Sequence, residues 1–566
     1  MYNSSKHLKI GDAIMNNFNL ELKDGKMLLV QGGTILNDII VGNNLLNDIP
    51  VVLGMVNNRI YELGTSISEG GTFNTVDIKS RIGMMTYVRT LQFVLIKAVA
   101  DLFPGAKINI EHSLSKGLFG EIHKTPALDI DDIYDIKNKM SEIIKADIII
   151  NKIGLPKEAA VKIYDGYDMQ DKVSLLKYVN SDEVKLYELD GRYDYFYGPM
   201  AYSTGVLKTF DLIYYEPGFI LRYPTSEFPN KIPKFHKHGK LASVFYEAEQ
   251  CGKILGIGNV GTLNDEVVNG DIVNAIRVAE ALHEKKIAYI ADMIHKRGKV
   301  KLVLIAGPSS SGKTTFSKRL GIQLRVNGLM PVFISLDDYF VNRDITPRDE
   351  NGDYDFESIY ALDLALFNKD LELLLKGEEV EIPCFNFKTG KREWHGNKIK
   401  MPENSVMVVE GIHGLNETLT SSISMDSKFK IYISPLTQLN LDDHNRISTT
   451  DVRMTRRIVR DYLSRGYGVE DTLKMWPSVK RGEEKNIFIF QEEADAMFNS
   501  SVVYELCVLK KFALAELDKI GPESPVYYEA IRLRSFLNFF QEIDKALVPD
   551  NSIIREFTGG SCFYQY

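Results

Sequence analysis

Gly307-Pro308-Ser309-Ser310-Ser311-Gly312-Lys313-Thr314 fits G-x-x-x-x-G-K-[ST] without a gap. The apolar run 300–306 before it predicts a strand, and 313–327 after it predicts a helix, which is the context the motif needs. Glycines let the backbone curl so that successive N–H groups face one phosphate, and the positive end of the following helix adds to that field. The reading gives Gly307, Ser309, Ser310, Ser311, Gly312, Lys313, Thr314 and Thr315 to ATP, with Lys313 reaching the β- and γ-phosphates and the Thr314 hydroxyl on Mg²⁺.

Outward from the loop, 331–336, 405–409 and 429–433 are further short apolar runs, the βαβ pattern of a parallel sheet with covered faces. Such a loop binds a nucleoside triphosphate, and the reaction has to be read from carboxylates at neighbouring strand ends. Asp337 and Asp338 end the second run, and Glu410 ends the third. One carboxylate near the γ-phosphate accepts a proton from an attacking hydroxyl, and another holds Mg²⁺ or its waters; a turn or cap role is the plain alternative for each. Residues 451–466 carry Arg453, Arg456, Arg457, Arg460 and Arg465 at near-helical spacing. So dense a cluster repels itself without an anion, which points to a lid over phosphates; the alternative is a solvated face paired with Asp442, Asp443, Asp451 and Asp461.

These residues resemble the uridine kinase and phosphoribulokinase group of P-loop kinases, over about 300–520. The likeness also rests on Tyr354-Asp355-Phe356-Glu357, on Ile382-Pro383-Cys384-Phe385-Asn386-Phe387 and on Val409-Glu410-Gly411. It implies Asp337 as the catalytic base, with Lys313, Arg457 and Arg460 beside it. It also implies Thr314 and Glu410 on Mg²⁺, and Asp337, Glu357, Phe385, Arg457 and Arg465 on the acceptor. Glu357 falls where the family has an Asp holding ribose hydroxyls, Phe385 where uridine kinases have a Tyr beside the base, and Gly390 near where they have a His. A site without those polar contacts loses discrimination more than chemistry. The implied activity is ATP-dependent transfer of the γ-phosphate to the 5′-hydroxyl of a pyrimidine nucleoside in salvage. The alternatives are a sugar phosphate or other small alcohol as acceptor, or an RNA- or nucleotide-sensing regulator.

Residues 26–77 resemble the TGS module, a small β-grasp domain, and 81–264 resemble the second additional domain of threonyl-tRNA synthetases, best at Phe196-Tyr197-Gly198-Pro199-Met200-Ala201-Tyr202-Ser203-Thr204-Gly205. The metal-binding editing positions correspond to Arg89, Phe93, Phe196 and Met200. None replaces an imidazole or thiolate, so no zinc and no editing hydrolysis is expected, though a pocket without the chemistry is. No room remains for a synthetase catalytic domain. The expected plan is multidomain α/β: an extension 1–25, a β-grasp domain 26–80, an α+β synthetase-editing-like domain 81–268, a connecting helix 269–298 capped by Asp271 and ended by Gly298, a P-loop kinase domain with a parallel sheet 299–520, and a helical extension 521–566.

Composition agrees with several domains, since 566 residues at roughly 100 to 200 per domain make about three or four. Hydrophobic residues at 44% and charged ones at 25% exclude a wholly disordered chain, and a net charge of −8 argues against binding nucleic acid through bulk charge. No apolar stretch reaches the roughly 18 residues of a membrane span, and the start shows no signal peptide, so a soluble cytoplasmic protein is expected. Cys251, Cys384, Cys507 and Cys562 are scattered, as reduced structural thiols are. Gly256-Ile257-Gly258-Asn259-Val260-Gly261 reads as a turn with no helix beginning there, His236-Lys237-His238 as a solvated loop, His112 as a structural histidine on a loop, and 536–547 as an amphipathic helix. Expected partners are a nucleoside, an RNA or small ligand at the N-terminal half and a second copy of the chain, with no membrane. Lys313→Ala is expected to weaken ATP use in a coupled turnover assay, and undiminished activity would mean the loop is misread.

Overall fold

The computed structural model describes residues 17–236, 239–350, 352–437 and 439–564. Most of the expected extension 1–25, and Lys237 and His238 of the histidine pair, lie outside them; His236 donates its N–H to Ser115 Oγ at 2.9 Å. The chain divides into two compact units. One holds Met1–Lys107, His123–Leu155 and Lys185–Lys234, and the other Ile108–Ile122, Pro156–Val184 and Phe235–Tyr566.

In the first unit a five-stranded sheet runs in the order Met27–Gln31, Asn17–Leu22, Gly71–Asp77, Val51–Val56, Arg59–Glu62, and the helix Leu36–Gly42 closes a core of Leu20, Leu36, Ile40, Val56 and Phe73. Asn17–Leu22, expected in the extension, is thus a strand of this sheet, because alternate residues Leu20 and Phe18 reach the same core. The helix Arg81–Leu102 begins where Ser80 caps it by accepting the Gly83 N–H at 3.1 Å. At 22 residues, Arg81–Leu102 is long and apolar enough to cross a membrane, which corrects the expectation of no such stretch. Its residues Leu91, Phe93, Val94 and Leu95 are buried in the protein's own core.

The second unit is built on a parallel sheet in the order Met330–Ser335, Ser405–Glu410, Leu302–Ala306, Lys428–Ser434, Ala496–Asn499. Leu302, Val303, Leu304, Ile305 and Ala306 have no exposure, as a strand covered on both faces requires. Glu410 is in register with Ile305 and with Ser335, so three neighbouring strands end at one level, where an open α/β sheet offers its ligand crevice.

Ile272–Arg297 is one helix ending at left-handed Gly298, but the Asp271 side chain makes no cap hydrogen bond. This helix lies against the phosphate-loop helix Lys313–Val326, with Arg319 bridging Glu280 at 3.1 Å and Glu284 at 2.8 Å. A helix does begin in the glycine stretch: Val260–Asn269, capped by Asn259 accepting the Thr262 N–H at 3.0 Å. The helix Gly239–Leu255 precedes it, so the strand a dinucleotide motif needs is missing. His112 sits on the strand Lys107–Leu114 rather than a loop, and its ring stacks 3.7 Å from Phe245. The tail helix is Tyr527–Leu537, so 536–547 is not a helix; only Lys545–Leu547 turns again, as a 3₁₀ segment. Among the thiols, Cys507 is buried while Cys384 and Cys562 are exposed.

Within this unit Lys172 Nζ donates to Asp442 Oδ1 at 2.8 Å, with side-chain exposures of 2% and 0%. Asp442 also accepts the N–H groups of His444 and Asn445, so the carboxylate fixes the hairpin that leads into the arginine helix. Lys172→Ala strands a buried charge and is expected to cost about 3–5 kcal/mol, read from the urea midpoint. Lys172→Met with Asp442→Asn recovers most of it, and a single-variant loss near zero would contradict the buried pairing.

Candidate active site

The loop geometry follows from its residues. Ser310 at φ +61° and Gly312 at φ +86° take the left-handed turns that a curled backbone needs, and Gly312 precedes the helix directly. The hydroxyls of Ser310 and Ser311 are buried with no hydrogen-bond partner among the described residues. Orphaned hydroxyls inside an anion-binding loop suit phosphate oxygens. Lys313 Nζ folds back onto the carbonyls of Gly307 and Pro308 at 3.1 and 3.2 Å.

Around the mouth the expected carboxylates converge. Thr314 Oγ1 and Ser335 Oγ both donate to Glu410 Oε1, at 3.4 and 3.0 Å, an all-oxygen set that suits a hard cation such as Mg²⁺. Glu410 is pushed up to about 7 by loss of water and by Asp337, against the pull of Lys313. Glu357 is likewise raised to about 7, by loss of water and by Glu483, with Arg457 and Lys313 opposing and Asp337 adding. A Cβ on Gly482 would overlap the Glu357 side chain, so the helix Val469–Asn486 packs directly against Glu357. Asp337 therefore lies within electrostatic reach of Glu357, Glu410 and Arg465. Its neighbour Asp338 turns elsewhere, accepting the Phe385 N–H at 3.3 Å, and is raised to about 6 chiefly by burial.

The arginine helix, Thr449–Arg460, is not a free cationic lid. Arg453 pairs with Glu483, Arg456 with Glu505 at 2.6 Å, and Arg457 and Arg460 with Asp461 at 3.1 and 2.8 Å. The self-repulsion expected of the cluster is cancelled by carboxylates, two of which, Glu483 and Glu505, are not those the sequence offered, while Asp451 pairs with Arg532 instead of a lid arginine. Arg457 Nη1 still reaches Ser309 Oγ at 3.1 Å. Arg465 lies 4.7 Å over the Phe387 ring and is pushed down to about 10 by loss of water and by Arg460. Phe385 is 8% exposed and packs its ring between Phe340 and Phe387.

Sequence reading missed Glu483, which accepts the Ser309 N–H at 2.8 Å, and Glu556, which accepts the Thr315 N–H at 3.0 Å. No motif surrounds either; only the fold brings them to the loop. In the first unit, Phe93 and Phe196 pack their rings 5.1 Å apart, Arg89 donates to the Pro199 carbonyl at 2.7 Å, and Met200 is 1% exposed. All four positions are thus buried.

Residues 302–505 match the model of the phosphoribulokinase / uridine kinase family. The N-terminal region is similar to the threonine–tRNA ligase of Rubrobacter xylanophilus, 28% identical over 195 residues, which is 34% of this chain and 30% of that protein. The chain thus spans about 30% of the length of the curated relatives it matches. Among solved structures, one described as a possible uridine kinase from Bacillus stearothermophilus is 17% identical, covering 38% of this chain and 97% of that one, with a TM-score of 0.26. A D-glycerate 3-kinase from Cryptococcus neoformans is 12% identical, covering 45% and 88%, with a TM-score of 0.20. The chain accordingly joins a segment, 302–505, that matches the phosphoribulokinase / uridine kinase family model to an N-terminal region similar to part of threonine–tRNA ligases.

Proposed function

We propose that the protein is an ATP-dependent phosphotransferase of the uridine kinase type, which passes the γ-phosphate of ATP to the 5′-hydroxyl of a nucleoside. The observation that carries this reading is the convergence of Asp337, Glu357 and Glu410 with Lys313 and Arg457 at the mouth of a phosphate loop. Asp337 takes the proton from the acceptor hydroxyl as it attacks in line. Lys313 leaves the Gly307 and Pro308 carbonyls for the transferred phosphoryl group, and Arg457, already at Ser309, meets its developing charge. Gly307, Ser309, Ser310, Ser311, Gly312, Thr314 and Thr315 hold the nucleotide, and Thr314 with Glu410 holds Mg²⁺, which when bound neutralises phosphate charge. Glu357 holds the acceptor's vicinal hydroxyls.

A second acceptor class is favoured by one observation. Arg465 is a half-buried cation over Phe387, and Phe385 is buried against Phe340 and Phe387. That pair suits an anionic small alcohol, such as a sugar phosphate, as well as a nucleoside.

ATP consumption over a panel of nucleosides and sugar phosphates tests both. Turnover of uridine or cytidine supports the first acceptor class, and turnover of a sugar phosphate alone supports the second. In either case Asp337→Asn is expected to lower turnover by about 10² to 10⁴. Near-normal turnover in that variant would remove Asp337 from its role.

A further inference from the structure

The phosphate loop already holds an anion, and it comes from the same unit of this chain. Thr315 is the third residue of the loop helix, so its N–H is one of those left free at a helix start. In a phosphate loop such N–H groups cradle the α- and β-phosphates. Here the Thr315 N–H donates to Glu556 Oε2 at 3.0 Å, and both residues are buried. The other polar atom of Thr315 is taken as well: its Oγ1 shares a 2.7 Å hydrogen bond with the Tyr564 hydroxyl. Between them, Ile553 occupies the space that a Cβ on Gly312 would fill. At the far end of the loop the Ser309 N–H is held by a second carboxylate, Glu483, at 2.8 Å. The segment is anchored from behind, where Ser552 Oγ donates to Glu280 at 2.5 Å and Phe557 lies 5.0 Å under the Arg456 guanidinium.

We infer that residues 549–564 are the resident ligand of the phosphate loop. The Glu556 carboxylate and Tyr564 hydroxyl stand in for a nucleotide's phosphate oxygens, so a nucleoside triphosphate seats only as this segment withdraws. The inference rests on the reading of the loop as a nucleotide site. It makes the C-terminal segment a competitor of the nucleotide, and whatever draws that segment away raises nucleotide affinity.

The full-length chain carries its own reporter, because Cys562 is exposed within the segment. In a Cys251→Ser, Cys384→Ser background, maleimide labelling of Cys562 is followed with and without Mg-ATP, and fluorescent-ADP affinity is measured for Glu556→Gln and Tyr564→Phe. Labelling is expected to quicken several-fold when nucleotide binds. Glu556→Gln, which removes the charge and keeps the shape, is expected to bind nucleotide about tenfold more tightly, the scale of one hydrogen bond to a charged group. Equal affinity in all variants with unchanged labelling would overturn the inference while leaving the nucleotide site intact. No binding of ADP, ATP or pyrophosphate by any variant would overturn it together with the reading of the loop. Truncation after Pro549 is a second route: a folded truncate that binds nucleotide no better than the full chain also counts against it.

Discussion

Arg456 has no exposed surface, yet it carries a full charge: its Nε donates to Glu505 at 2.6 Å, one Nη to the Ser500 carbonyl at 2.8 Å and the other to the Ser310 carbonyl at 3.4 Å. Arg453 does the same one turn earlier, donating to the Ser309 carbonyl at 2.9 Å while pairing with Glu483. Taking guanidinium groups out of water costs several kcal/mol each, and only fully matched partners offset it. The arrangement has a directional consequence. In a trans peptide the C=O of one residue and the N–H of the next point opposite ways. Holding the Ser309 and Ser310 carbonyls therefore also fixes the direction of the Ser310 and Ser311 N–H groups, and the Ser311 N–H donates to the Pro308 carbonyl at 3.3 Å. The arginine helix aims the loop before any ligand arrives.

This division of labour among the arginines separates what the sequence made legible from what it did not. The strand, loop and helix around Gly307–Thr314 follow from local pattern, because a wholly apolar five-residue run and a glycine-bounded turn have few alternatives. The carboxylates Asp337 and Glu410 follow from strand ends that the sheet register brings level. Which arginine meets phosphate does not follow. Arg453, Arg456, Arg457 and Arg460 share one helix, yet Arg453 and Arg456 are taken by Glu483 and Glu505, tens of residues downstream, while Arg457 and Arg460 pair with nearby Asp461. Partners that distant leave no periodic trace. The tail is harder still: Arg555-Glu556-Phe557-Thr558 is one short helical turn with no motif, and only its burial against the loop gives Glu556 meaning.

Element boundaries failed where tertiary contacts override local signals. The helix beginning at Arg81 carries arginine and lysine within an apolar stretch, and those charges are met inside the fold: Arg89 by the Pro199 carbonyl and Lys97 by Asp101. Arg89, Phe93, Phe196 and Met200 show the converse. That none of them offers an imidazole or a thiolate is visible residue by residue, but how they pack is not. Phe93 against Phe196, with a guanidinium beside Gly198 at φ +111°, is a packing solution that no single position announces.

Competition at the loop is unequal in kind. A tethered segment acts at an effective concentration on the millimolar scale, so it resists a dilute ligand although each contact is modest. It offers the loop one carboxylate and one hydroxyl at Thr315, while Ser310 and Ser311 keep unsatisfied hydroxyls and Lys313 is spent on carbonyls. A triphosphate with Mg²⁺ engages all of these at once. The segment thus sets a threshold for nucleotide rather than a block, because what it satisfies is only one end of the loop.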